Sequence, residues 1–364
     1  MWAPRTFLGT ERSRLLVTSP PLPLPKSILR SVLPERLLLW ALAALLTLAA
    51  LPAFPWGRDG HETIAALAQT MLSNNVLTKV RTILNTNELA SVSVWADQVR
   101  SLMKDRLHPG PLTNSVEAHE FIAAHPDNDQ WHFVDLPLST SKYEFKSRFA
   151  ATNDIVHTLT NCIAVLEGKS RFITTTQALR YIIHLVGDIH QPLHVACGYY
   201  VENPQGVAKL RKRANSITNT EAHDRGANLL VWSTTNQNHN VTTNNMHAYW
   251  DGHMVTTVDP TAGNKHMLEI LTNAIATNAQ DWKDKGDYHQ WPALWAADSA
   301  KGAKTAFVGV TIQSATFKAD STPKEIRILP LNSAYDDAHR ALVTRQLAKA
   351  AFSLAELLNR IKWP

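Results

Sequence analysis

Five side chains in two short stretches of this sequence have the types and spacing to hold a divalent cation. In HLVGDIHQPLH, residues 184–194, His184 and Asp188 are four apart and project from one face of a helix. Pro192 ends that helix, so His194 can approach from another direction. The stretch NMHAYWD, residues 245–251, repeats the spacing with His247 and Asp251. Imidazole nitrogens and carboxylate oxygens make a ligand set suited to zinc, and such a set leaves room for water or a phosphate oxygen. A surface ion pair is the competing reading of either pair alone. Two pairs plus His194, in a chain with 16 histidines, weigh toward metal.

Ligands of this kind must be presented by rigid elements, and the sequence predicts helices at the right places. From His61 to Ser73, Ile64, Leu67, Ala68, Met71 and Leu72 fall on one helical face. Asp154 to Glu167 begins on a capping Asn153-Asp154 and stops at Gly168. Thr174-Thr175-Thr176 opens a helix through Ala178, Leu179, Ile182, Ile183 and Val186 that ends before Pro192. A last long helix, from about Asp336 to Ile361, repeats Val343, Leu347, Ala350, Leu354, Leu357 and Ile361, a pattern for packing on a helical core. The stretches 108–129, 202–223, 233–244 and 307–331 read as irregular and polar, the last with a β-leaning VGVTI. No internal repeat or domain boundary interrupts residues 56–364. The expectation is one mainly α domain with long surface loops.

Residues 1–55 are of another kind. Basic Lys26, Arg30 and Arg36 precede an apolar run, 37–54, with small residues Ala49, Ala50 and Ala53, the pattern of a secretory signal. An uncleaved anchor is the alternative, because the run approaches spanning length. This leader carries six Lys/Arg against two acids, so the remaining 30 basic and 29 acidic side chains nearly cancel. A polyanionic ligand would therefore be drawn by a local basic site or by bound cations, not by overall charge. Two cysteines, Cys162 and Cys197, allow at most one disulfide and exclude a four-thiolate zinc site. Asn240-Val241-Thr242 is a glycosylation sequon, meaningful only in a eukaryotic secretory route.

Six motifs in order, WGRDGH (56–61), WADQVR (95–100), WHFVD (131–135), HLVGDIHQPLH (184–194), DRGAN (224–228) and NMHAYWD (245–251), resemble the S1/P1 family of zinc-dependent nucleases. That family shares its fold with bacterial phospholipase C. The resemblance implies a secreted or periplasmic phosphoesterase that cuts single-stranded DNA or RNA and removes phosphate from 3′-nucleotides. It implies no stable protein partner and no membrane anchor after signal removal. It further implies three zinc ions per chain. Asp97, His132, His184 and Asp188 would hold the first, and His194, His247 and Asp251 the second. His61, Asp188 and the α-amino nitrogen and carbonyl oxygen of Trp56 would hold the third. Arg100 would stabilise charge on the pentacoordinate phosphorus. Asn228 would contact phosphate or the nucleobase region, beside Gly226. Phe133 and Asp135 would form a base pocket, one stacking and one accepting base N–H groups.

Departures from the family pattern concern the cleft walls. Ala227 replaces a common glycine, which predicts a differently shaped loop, since alanine resists positive φ. The segments between Asp97 and His132 and from Cys197 to His223 are long, the second with basic Lys209, Arg211, Lys212 and Arg213. The fungal and plant disulfides are missing, which points to a bacterial-type relative. A phospholipase C acting on lipid phosphodiesters, and a zinc- or nucleic-acid-binding protein without catalysis, are the alternative functions. Maturation gives the first prediction. A free amine on Trp56 requires a cut after Pro55, whereas Ala53 is the better signal-peptidase site. Two steps are expected, with removal of Phe54-Pro55 by an X-Pro dipeptidyl peptidase following the first cut. N-terminal sequencing with metal counting on one preparation should find Trp56 first and three zinc ions. A three-zinc, fully active enzyme beginning at Phe54 would remove the amino-terminal ligand from the scheme.

Overall fold

A computed structural model of the chain describes residues 56–104, 110–203, 207–235, 239–261 and 266–364. The apolar run 37–54 lies outside the described residues. Helices follow in the order α1 (Gly57–Thr70), α2 (Asn74–Leu84), α3 (Trp95–Lys104), α4 (Val116–Ala124) and α5 (Ile155–Leu166). Then come α6 (Thr175–His190), α7 (Met246–Asp251), α8 (His253–Thr256), α9 (Met267–Trp282), α10 (Trp291–Ala306) and α11 (Ser333–Arg360).

The sequence makes α6 the centre. Thr174 caps it with a full capping box, its hydroxyl accepting from Gln177 N–H while the Gln177 side chain accepts from Thr174 N–H. From Ala178 to His190 every residue but Arg180 is buried. A helix buried all round must be covered on several sides. Among the helices packed on it are α5, α10, α11 and α1. α5 starts on Asp154, whose carboxylate accepts from the N–H groups of Val156 and His157. α11 lays down the expected row, with Val343, Leu347, Ala350, Leu354 and Leu357 fully buried. Burying α6 this completely buries His184 and Asp188 with it.

Strands complete the frame. β1 (Leu136–Pro137) pairs in parallel with β2 (Ala196–Cys197), and β3 (Tyr200–Glu202) is antiparallel to β4 (Ala208–Leu210). β5 (Leu230–Thr235), β6 (Val241–Asn245), β7 (Ile312–Phe317) and β8 (Pro323–Ile328) form a mixed sheet ordered β6-β5-β8-β7. The hairpin β5–β6 runs in register from Val231 opposite Asn245 to Thr235 opposite Val241.

Three stretches read as irregular are thus more ordered than expected. The 108–129 segment contains α4, capped by Ser115. Of the 233–244 segment, 233–235 and 241–244 lie in the paired strands β5 and β6, hidden in the sequence because their Thr/Asn-rich residues are largely exposed and carry no alternation. The β signal near VGVTI belongs to a strand that begins at Ile312, the last residue of that string. Cys162 and Cys197 are both buried and free, so they form no disulfide. No helix among the described residues is long and apolar enough to cross a membrane.

Candidate metal centre

Side chains from six elements meet under one opening. α1 brings His61, α3 brings Asp97, and the 3-10 turn Asn128–His132 brings His132. α6 brings His184 and Asp188, the turn Pro192–His194 brings His194, and α7 brings His247 and Asp251. Three groups result whose ligand atoms lie within 4.8 Å of one another: Asp97/His132/His184, His61/His184/Asp188 and His194/His247/Asp251.

The first group, with Asp188 added, has the dimensions of a tetrahedral site. His132 Nδ1 lies 3.0 Å from Asp188 Oδ2, 3.2 Å from His184 Nε2 and 3.7 Å from Asp97 Oδ1. His184 Nε2 lies 3.2 Å from Asp188 Oδ2 and 3.6 Å from Asp97 Oδ1. A regular tetrahedron with zinc–ligand bonds of about 2.0–2.1 Å has edges of about 3.3 Å. Asp188 turns its other oxygen, Oδ1, to within 3.2 Å of His61 Nε2. Across the centre, His247 Nε2 and Asp251 Oδ2 stand 3.3 Å apart.

Backbone carbonyls orient the rings. The Nδ1–H groups of His184, His194 and His247 can donate to Ser93 O at 2.7 Å, His132 O at 2.8 Å and Gly226 O at 2.7 Å. Each bond selects the tautomer whose Nε2 lone pair faces inward, as in metal sites. Gln191 donates to Asp251 Oδ1 at 2.7 Å, and the amide N–H of Trp56 reaches the same oxygen at 3.2 Å. Trp56 itself is buried, its indole N–H on Gly187 O at 2.9 Å. Gly187 is required, because a Cβ there would meet the His61 ring at 2.8 Å.

The electrostatics of the bare side chains are strained. Burial holds His132 down to about 4 and His247 down to about 3. Burial also opposes charge on His184, but Asp188 and Asp97 outweigh it and raise the ring to about 10. Asp188 is driven well below the usual carboxylate range, since His184 and His194 overcome its burial, whereas burial pushes Asp251 well above. Both nitrogens of His61, His132 Nε2, His194 Nε2, Asp97 Oδ2, Asp188 Oδ1 and Asp251 Oδ2 are buried without a hydrogen bond. An unmade bond to a buried polar atom costs about 1–3 kcal/mol. Of these, His61 Nε2, His194 Nε2, Asp188 Oδ1 and Asp251 Oδ2 belong to the three groups, and cations ligated there would satisfy them.

The opening above is a cleft of about 700 Å³. Arg100, Phe133, Asp135, Gly226 and Asn228 all line it, beside His194 and His247. Arg100 follows Asp97 by one turn of α3, and its Nε is buried without a partner. The pairing of β1 with β2, extended by Val134 N–H donating to His194 O at 2.9 Å, sets Phe133 and Asp135 beside the centre. Asn228 folds back, its amide donating to Arg225 O at 2.8 Å.

The sequence profile described as S1/P1 nuclease matches residues 56–362. The chain belongs to the S1/P1 nuclease family. Nuclease S1 of Aspergillus oryzae is 24% identical over 88% of this chain and 96% of its own length. Endonuclease 2 of Arabidopsis thaliana is 24% identical over 84% of this chain and 90% of its own. Nuclease P1 of Penicillium citrinum aligns more locally, 25% identical over 38% of this chain and 47% of its own. Membership makes the chain a hydrolase of phosphodiester bonds.

Within this S1/P1 nuclease, the DRGAN loop holds its alanine at positive φ, which alanine is expected from sequence to resist. Arg225, Gly226 and Ala227 all take positive φ, 57°, 60° and 65°, so alanine accepts the left-handed geometry instead of reshaping the loop. Asp224 fixes it, accepting from the N–H groups of Ala227 and Gly198 and from the Tyr200 hydroxyl. Burial raises that carboxyl to about 7. Sequence reasoning missed Gln191, inside the QPLH string, and Lys104, which follows Arg100 by one helical turn and lines the cleft. It also missed His223, 3.5 Å from Asp135 and flagged by no periodicity.

Gly226 and Ala227 give opposite expectations. A Cβ at Gly226 would sit 2.2 Å from the Leu193 carbonyl oxygen. Gly226→Ala should therefore lose about 1–3 kcal/mol, the usual range for enforced backbone strain. Ala227→Gly should stay within about 1 kcal/mol of the parent, since relief of strain offsets added chain entropy. Thermal unfolding of both variants checks the pair, and equal tolerance would contradict the left-handed loop.

Proposed function

We propose that this S1/P1 nuclease is a secreted, zinc-dependent enzyme that cuts single-stranded DNA or RNA and also removes the phosphate of 3′-nucleotides. The observation that carries the reading is the tetrahedral spacing of Asp97, His132, His184 and Asp188 at the floor of the cleft. Three ions are assigned: one to that set, one to His194, His247 and Asp251, and one to His61, Asp188 and the freed terminus of Trp56. When bound, zinc would supply Lewis acidity and an activated water for in-line attack on phosphorus.

The chain's own residues do the rest. Carbonyl bonds from Ser93, His132 and Gly226 keep His184, His194 and His247 in the ligating tautomer. Arg100 lines the cleft with an unpartnered Nε, and its planar guanidinium would stabilise negative charge that grows on phosphorus in the transition state. Phe133 offers a stacking face, which favours unpaired bases over a closed duplex. Asp135, half-buried on the same wall, accepts base N–H groups. Asn228, on the cleft lining with its amide tied to Arg225 O, would contact phosphate or the nucleobase region. Secretion is supported by the leader with its apolar run 37–54. Because basic and acidic side chains nearly cancel after residue 55, the ions also supply most of the attraction for a polyanion.

Removing metal should abolish hydrolysis of single-stranded DNA, lower the melting temperature and be reversed by zinc. Full activity with less than one equivalent of metal would sink the mechanism. Substitution separates the roles. His184→Ala and Asp251→Ala should lose metal together with activity. Arg100→Ala should keep zinc and lower turnover, and stripped zinc or unchanged turnover would reject its assignment. Phe133→Ala should weaken substrate binding by about 1–3 kcal/mol per stacked base.

A further inference from the structure

A fourth group of metal-ligating atoms lies at the base-pocket end of the cleft, apart from the three groups already described. A carboxylate oxygen of Asp135, the sulfur of Cys197 and a ring nitrogen of His223 lie within 4.8 Å of one another. Asp135 Oδ1 and His223 Nδ1 are 3.5 Å apart, matching the ligand–ligand edges of the nuclease centre. Nδ1 faces the backbone N–H of Arg225 at 3.2 Å, so it presents a lone pair and not a proton. That one lone pair is engaged by the Arg225 N–H, a contact that a cation would have to displace. Three chain segments converge on this geometry. β1 follows Asp135, β2 carries Cys197, and the Tyr199–His223 bridge closes the long insertion back onto the wall.

We propose that Asp135, Cys197 and His223 form an additional, thiolate-containing site for a soft divalent cation such as zinc, distinct from the nuclease centre. Nitrogen, sulfur and oxygen in one set is ligand chemistry suited to zinc, and two of the three residues, Asp135 and His223, line the cleft. Cys197 is fully buried and free, within hydrogen-bonding reach of the Asp135 carboxylate. Burial and the neighbouring carboxylates of Asp135 and Asp224 keep its thiol protonated while no cation is bound. Coordination forms the sulfur–metal bond and releases that proton to solvent, while Nδ1 gives up its contact with the exposed Arg225 N–H. The cation would take the oxygen that the proposed function assigns to base recognition, so filling this site would inhibit. That inhibitory consequence rests on the base-pocket reading of Asp135; the site itself does not.

Cobalt distinguishes the two kinds of site. Every ligand of the nuclease centre is nitrogen or oxygen, so only the additional site can give a sulfur-to-cobalt charge-transfer band in the near ultraviolet. Metal-free enzyme titrated with Co²⁺ should develop that band and bind one more equivalent than its Cys197→Ser variant. His223→Ala, on a side chain of intermediate exposure, should weaken cobalt binding at this site and lower the band at limiting metal. Absence of the band from the parent protein, or its persistence in Cys197→Ser, would overturn the site. Zinc beyond the nuclease equivalents should raise KM for 3′-nucleotides, but not for a base-free phosphodiester, and His223→Ala should lose that sensitivity. A cobalt–sulfur band without this KM effect would keep the site and reject its inhibitory role. A missing band in an enzyme still active with zinc would reject the site and leave the nuclease reading standing.

Discussion

The carboxylate of Asp188 is the group on which the rest of the structure depends. It is fully buried on the central helix, and each of its oxygens faces a different set of histidines. An ionised carboxylate in such a place is tolerated only if positive charge surrounds it. The imidazoles supply part of that charge, but they also need lone pairs directed inward, and the carbonyls of Ser93, His132 and Gly226 see to it. The demand then travels outward. Ser93 has to end the turn before α3, Gly226 must adopt a left-handed backbone, and Gly187 must leave space for His61.

The fold meets this demand by splitting its labour. Helices α1, α3, α6 and α7, with the turns that carry His132 and His194, hold the charged floor, where a displacement of about half an ångström would spoil ligand geometry. Lys104, Asp129 and Gln130 before His132, with Tyr199, Thr220, Glu221 and His223 after Cys197, line the walls, where side chains can change without disturbing the floor.

Much of the floor was legible because helical spacing projects directly into space. His184 with Asp188 and His247 with Asp251 could be placed on common faces from their separation alone, and Thr174 and Asp154 announced the helices beside them. What joins the floor across the chain was not legible from periodicity: Asp97, His132 and His61 were assigned by resemblance, since nothing local ties residues more than 50 positions apart. The sheet escaped because its exposed Thr and Asn residues carry no apolar alternation. Ala227 misled for a sound reason. Positive φ does disfavour alanine, but three hydrogen bonds to the Asp224 carboxylate, one of them from Ala227 itself, hold the loop in place regardless.

The two-residue ladder between β1 and β2 has a mechanical meaning. It is too short to add much to stability, yet it welds the strand after Asp135 to the strand after His194 through backbone bonds that do not depend on side-chain identity. The wall and the floor of the cleft therefore behave as one jaw of a caliper. The gap between whatever the wall grips and whatever the floor attacks is set by peptide geometry, and evolution can exchange the gripping residues without recalibrating the reach.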